Sequence, residues 1–208
     1  LLAKWQDPSH SGDYFDQIQP TEVGFLVWSE FPITVYVQPP STATNPSSLE
    51  SAWVKAVQAA IQGWMPYLPL QPVDQAEQAD ITIWRSQPPL RLGVRDRPSN
   101  SLGLERVRSA ETRYELFVEQ VEQAEQQPAR LIHRCTITLN PQQTAAYIQA
   151  AIRHELGHAL GIWGHSPQPT DALYFSQVRN PALISSRDVN TLKRIYEQPT
   201  RLGWSLKE

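Results

Sequence analysis

Cysteine is nearly absent from this chain: Cys135 is the only one among 208 residues. That excludes an intrachain disulfide and a four-cysteine zinc site, and it leaves the redox compartment open. Methionine also occurs once, as Met65. No apolar run approaches the roughly 18 residues that a membrane-spanning helix needs, so no span is expected. Positive charge is not in excess either. With 18 Lys and Arg against 21 Asp and Glu, the net charge is −3, and the pI near 6.0 gives none of the basic footprint expected of nucleic-acid or anionic-membrane binders. Internal repeats are missing, as is any linker long enough to separate two independent domains.

What is present is a chain with 40% apolar content and seven Trp, long enough to bury one core. We expect a single monomeric domain over residues 1–208, with an N-terminal extension (1–30), an upper subdomain (31–161) and a lower C-terminal subdomain (162–208). The chain opens at Leu1 rather than Met. This fits an upstream segment that has been removed and an extracytoplasmic or secreted address, although no signal is present to be read.

Hydrophobic periodicity predicts an α+β order of elements. The aromatic residues Trp5, Tyr14, Phe15, Phe25 and Trp28 argue for an ordered N-terminal extension. Phe31–Val37 alternates and is β-branched, with Pro32 at its start, and reads as a strand ended by Pro39-Pro40. Ser47 or Ser48 caps a helix whose apolar residues Trp53, Val54, Val57, Ala60, Ile61 and Trp64 follow the 3.6-residue period, until Gly63 and Pro66 end it. An extended piece at Leu68–Val73 precedes a second strand, Asp80–Trp84.

Arg91–Arg113 reads as a long surface loop with a short edge strand near Leu102–Val107. Tyr114–Val118 and Leu131–Leu139 alternate and form a hairpin, joined by the Glu/Gln-rich segment Glu119–Gln127, which reads as solvated. His133, inside the second of these strands, has no ligand-type residue at close spacing and reads as a packed imidazole.

Asn140-Pro141 then opens a central helix of about five to six turns, and Gly161 stops it. A last amphipathic helix begins at Ser185 or Ser186, carries Val189, Leu192, Ile195 and Tyr196, and is stopped by Pro199.

Three of the five histidines fall within His154–Ser166. His154 and His158 stand four apart on the central helix, so both imidazoles share one face about one turn apart. Neutral imidazoles suit zinc, and a hydrolytic zinc site needs three protein ligands with a fourth position open to water. Glu155 follows the first ligand by about 100° of helix rotation, where a carboxylate can act as general base without binding the metal. The third ligand must approach from another direction. Gly161 allows the chain to turn, Gly164 is expected to let the backbone pass close to the metal, and His165 is the candidate. Gly157, between the paired ligands, suits either close approach of a neighbouring element or simple packing.

This stretch, HELGHALGIWGHS, resembles the zinc-binding signature of the metzincin metallopeptidases and is most similar to that of the matrixins. The order of elements is also similar to a matrixin-like catalytic domain over roughly residues 31–197. Two departures stand out. The metzincin pattern places its third His where this chain has Gly164, and His165 comes one residue later, so a bulge around Trp163 is expected, with Trp163 packing or flanking the cleft. The family's Met-turn aligns with Asp171–Tyr174, which puts Leu173 in the place of the Met and conserves volume and apolarity.

The resemblance implies a zincin-type fold, with a twisted mixed sheet, a backing helix, an active-site helix and a small C-terminal lobe. It implies one catalytic Zn2+ and a peptide or protein substrate hydrolysed through a water activated by zinc and Glu155. Tyr174 reads as a packing residue before an oxyanion donor. Latency, if it exists, falls to an upstream piece or to an acidic residue such as Asp7 or Asp13. Two other readings stay open: a zinc-stabilised binding module without activity, against which Glu155 speaks, and a gluzincin-like site with Glu197 in place of His165.

Overall fold

The computed structural model describes residues 1–41, 47–89, 109–120, 129–176 and 178–205. The edge strand expected near Leu102–Val107 and most of the Glu119–Gln127 connector lie outside these residues.

The chain is mixed α and β, with a five-stranded, mostly parallel sheet. Strands β1 (Ile33–Val37), β2 (Leu70–Val73), β3 (Ile81–Trp84), β4 (Ala110–Glu119) and β5 (Arg130–Leu139) lie in the order β2-β1-β3-β5-β4. Only the β4–β5 hairpin is antiparallel. Pro72 is tolerated because β2 is an edge strand, where a missing N–H costs no ladder bond on the open side. Burial alternates along the central strands: Ile33 and Val35, Ile81 and Ile83, and Cys135, Ile137 and Leu139 all point into one core.

That face is covered by helices. Helix α1 (Ser48–Trp64) is capped by Ser47 in a capping box with Glu50, and it buries Trp53, Val57, Ala60, Ile61 and Trp64. Gly63 lies inside its last turn and does not end it. Helix α2 (Ala145–Ala159) packs on α1 and on β4 and β5, and the Trp64 indole donates to the Arg153 carbonyl at 3.0 Å across that contact.

Two expectations about local structure are corrected. The central helix is capped by Thr144, not by Asn140-Pro141, and has 15 residues, about four turns. The Asn140 side chain instead accepts from Gln142 N at 2.9 Å, a local turn that competes with helix initiation. Strand β4 also starts at Ala110, four residues before Tyr114, where Glu111 and Thr112 are polar in sequence yet buried and paired with β5.

Helix α3 (Ser186–Tyr196) closes the fold, with Ser185 and Asp188 forming its capping box. The N-terminal segment runs along it. The Trp5 indole donates to Asn190 at 2.8 Å, Lys193 to the Trp5 carbonyl at 3.0 Å, and the buried Tyr14 hydroxyl to Asp188 at 2.6 Å. No helix among the described residues is long and apolar enough to cross a membrane.

Candidate metal centre

The last two turns of α2 carry His154 and His158, with their Nε2 atoms 3.1 Å apart. Each ring is oriented through its other nitrogen. His154 Nδ1 lies 2.9 Å from the Ala172 carbonyl oxygen, and His158 Nδ1 lies 2.7 Å from that of Ile162. A carbonyl only accepts, so each Nδ1 is the N–H and both Nε2 lone pairs face the same space. Two such lone pairs at this separation repel unless a cation is shared between them.

His165 completes the group. Its ring centroid is 5.2 Å from that of His154 and 4.8 Å from that of His158. One nitrogen from each ring falls within 4.8 Å of the others, and among the described residues this is the one group of three metal-type side chains so placed. Ligands of a tetrahedral zinc at bond lengths of 2.0–2.1 Å stand about 3.3 Å apart, and the helix pair is already at that spacing. The three side chains could together hold a metal ion, with the helix pair at ligand spacing and His165 within 4.8 Å. Burial and the neighbouring imidazoles push the His158 pKa well below its ordinary value, which keeps the ring neutral as a ligand must be.

The chain between the helix and His165 shows how one additional residue is accommodated. Ile162 N donates to the Gly157 carbonyl at 2.9 Å and Gly161 N to that of His158 at 3.0 Å, a Schellman stop with Gly161 at φ +127°. Trp163 N then donates to Gly161 O at 2.8 Å and Gly164 N to Ile162 O at 3.0 Å. These are two consecutive three-residue turns, which shorten the path of the chain. Trp163 sits edge-on to Tyr114 at 5.1 Å and flanks His158.

Gly164 has a different role from the one expected. A Cβ there would stand 2.5 Å from the Gln17 carbonyl oxygen, and Ile18 pairs with Gly164 in an antiparallel bridge. The glycine admits the N-terminal segment.

Gly157 admits Leu173: a Cβ at this glycine would lie 2.5 Å from Leu173 Cδ2, and Leu173 is fully buried beneath the imidazoles' helix. The turn that carries Leu173 is held by the Asp188 carboxylate, which accepts from Ala172 N at 2.9 Å, Leu173 N at 3.4 Å and Ser185 N at 2.8 Å. Asp188 therefore fixes the carbonyl that orients His154. Its place in a Ser-x-x-Asp box was legible in the sequence, but its reach into this turn was not.

Glu155 is 9% exposed and lines the cleft beside the histidines. Burial raises its carboxyl above the ordinary carboxylate value, while the adjacent His154 and hydrogen bonds from Thr112 pull the other way. The cleft, of about 2090 Å3, runs past Glu155, His158, Trp163 and His165. A smaller cavity of about 160 Å3 opens beside His154, walled by Ala151, Ala172, Tyr174, Phe175, Val178 and Pro181.

The remaining candidates lie elsewhere. Glu197 is the C-terminal cap of α3 and belongs neither to the histidine group nor to the cleft lining. Asp7 accepts from Asn190 and Asp13 from Arg194, both on α3, so the two acids tie down the N-terminal segment. Tyr174 packs on Phe175 with ring centroids 4.6 Å apart. His133 is buried and stacked on Trp28 at 3.9 Å.

Comparison with protein-family models and with curated proteins finds no match to this chain.

Proposed function

We propose that this chain is a zinc-dependent endopeptidase of metzincin type, with His154, His158 and His165 as ligands and Glu155 as general base. The observation that carries this reading is the facing Nε2 pair on α2, with His165 against it and a buried carboxylate on the intervening residue. A purely structural metal site has no use for that carboxylate at the mouth of a cleft.

Zinc, when bound, supplies Lewis-acid polarisation of the scissile carbonyl and lowers the pKa of water. Glu155 takes the proton from the attacking water and returns it to the leaving amine, a role worth roughly 10²–10⁴ in rate. The cavity beside His154, lined by Ala151, Tyr174 and Phe175 but also by Asp171 and Ser176, offers room for a substrate side chain next to the scissile bond.

The test is hydrolysis of casein and of a broad peptide library by the zinc-loaded protein, with Glu155→Ala alongside. We expect the variant to hold zinc at one equivalent and to lose cleavage. A wild-type protein that holds zinc but cleaves nothing would favour the binding-module reading.

A further inference from the structure

Strand β4 supplies a contact that nothing in the motif predicts. Thr112 Oγ1 lies 2.6 Å from Glu155 Oε2 and 3.0 Å from the main-chain carbonyl oxygen of the same residue. Both residues are 9% exposed, and both line the cleft. Thr112 pairs with Ile137 in the hairpin, so its backbone is held by β5 while its side chain reaches α2.

We infer that Thr112 is a positioning residue for the general base, an inference that rests on the peptidase reading above. A glutamate has three rotatable side-chain bonds, and a base must be held in one geometry to act. The hydroxyl has a single proton, and the shorter contact has the length of an O–H···O⁻ bond, so that proton goes to Oε2. The Glu155 carbonyl oxygen, 3.0 Å from the same hydroxyl, is the competing acceptor for that one proton, so the tie is the bond to the carboxylate. With Oε2 held by the Thr112 hydroxyl, rotation of the carboxylate is restricted. The anchor sits on the sheet rather than on α2, so the base is referenced to two elements at once.

Valine matches threonine in shape and lacks only the hydroxyl, so Thr112→Val removes this bond with little change in packing, and Thr112→Ser restores it. For the zinc-loaded protein we expect Thr112→Val to lower kcat by roughly 10–100-fold, the usual cost of losing a partner one step removed from a metal centre, with KM and zinc content within about twofold. Thr112→Ser should recover most of that loss.

A second readout does not depend on activity. In the metal-free protein at fixed pH, the 13C carboxyl resonance of Glu155, assigned by its absence in Glu155→Gln, should move in Thr112→Val and return in Thr112→Ser. A full kcat in Thr112→Val, an unmoved resonance, or a Thr112→Ser variant as impaired as Thr112→Val would each overturn the inference. If the wild type shows no peptidase activity, the peptidase reading fails and the resonance alone decides whether Thr112 holds Glu155.

Discussion

The site has two halves of different construction. His154, Glu155 and His158 stand on α2, a helix packed against α1 and the sheet. Their spacing follows from helix geometry, and Trp28, stacked on His133, donates from its indole to Ala159 in the last turn at 2.9 Å. His165 stands on an irregular loop held by a Schellman stop, two three-residue turns, the bridge to Ile18 and the Asp188-bound turn at Leu173. The first half is rigid because its backbone bonds are local and repetitive. The second is rigid only because segments distant in sequence meet there, so it depends on contacts that no short motif encodes.

Removing ligands gives the largest effect and tests the comparison directly. His154→Ala and His158→Ala should each leave no zinc after dialysis, measured by elemental analysis. His165→Ala should also lose zinc, retaining at most the weaker hold of the helix pair. Full zinc in His165→Ala would break the loop half of the site and return attention to other ligands.

Leu173 comes next, since it joins the halves by filling the space above Gly157. Leu173→Ala should cost about 2–5 kcal/mol in urea denaturation, because a fully buried side chain leaves a cavity. Leu173→Met, the residue of the resembling family, should cost less than about 1.5 kcal/mol. Equal effects of the two would mean that the turn is not packed as a floor.

A further test concerns the support behind the helix half. Burial of His133 pushes its pKa down to about 4 from 6.5. The unfolded chain therefore binds this proton across a window in which the native state does not. Stability is full above pH 6.5 and is lost as pH falls toward 4, by roughly 3 kcal/mol for this group. His133→Phe, which keeps a ring against Trp28, should flatten that part of the profile when denaturation midpoints at pH 7.5 and pH 5 are compared. A profile as steep as the wild type's would assign the acid sensitivity to other groups.

Much of this was legible from residues alone. The alternation of Ile33–Val37, Ile81–Trp84 and Arg130–Leu139, and the 3.6-residue period of α1 and α3 with their Ser caps, mark elements whose side chains face one core. The start of α2 was misplaced because Asn140-Pro141 is as good a turn as a cap, and only the Thr144 hydroxyl on Tyr147 N shows which one opens the helix. The start of β4 was missed because Glu111, Thr112 and Arg113 read as a solvated loop, and only the tertiary structure shows Glu111 and Thr112 buried.

The sequence by itself determined the local chemistry: which residues can bind a metal, that two imidazoles and a carboxylate share the end of one helix, and that a glycine ends it. These follow from the fixed rise and rotation of a helix, which turns spacing into geometry. Tertiary structure alone decided that His165 meets the pair despite the extra residue, that Gly164 serves the N-terminal segment, that Asp188 sets the carbonyl facing His154, and that Thr112 reaches Glu155. Each of these joins residues far apart in the chain, where no local period constrains distance and only the packing of α2 on α1, β4 and β5, and of the loop after it on α3 and the N-terminal segment, brings the partners together.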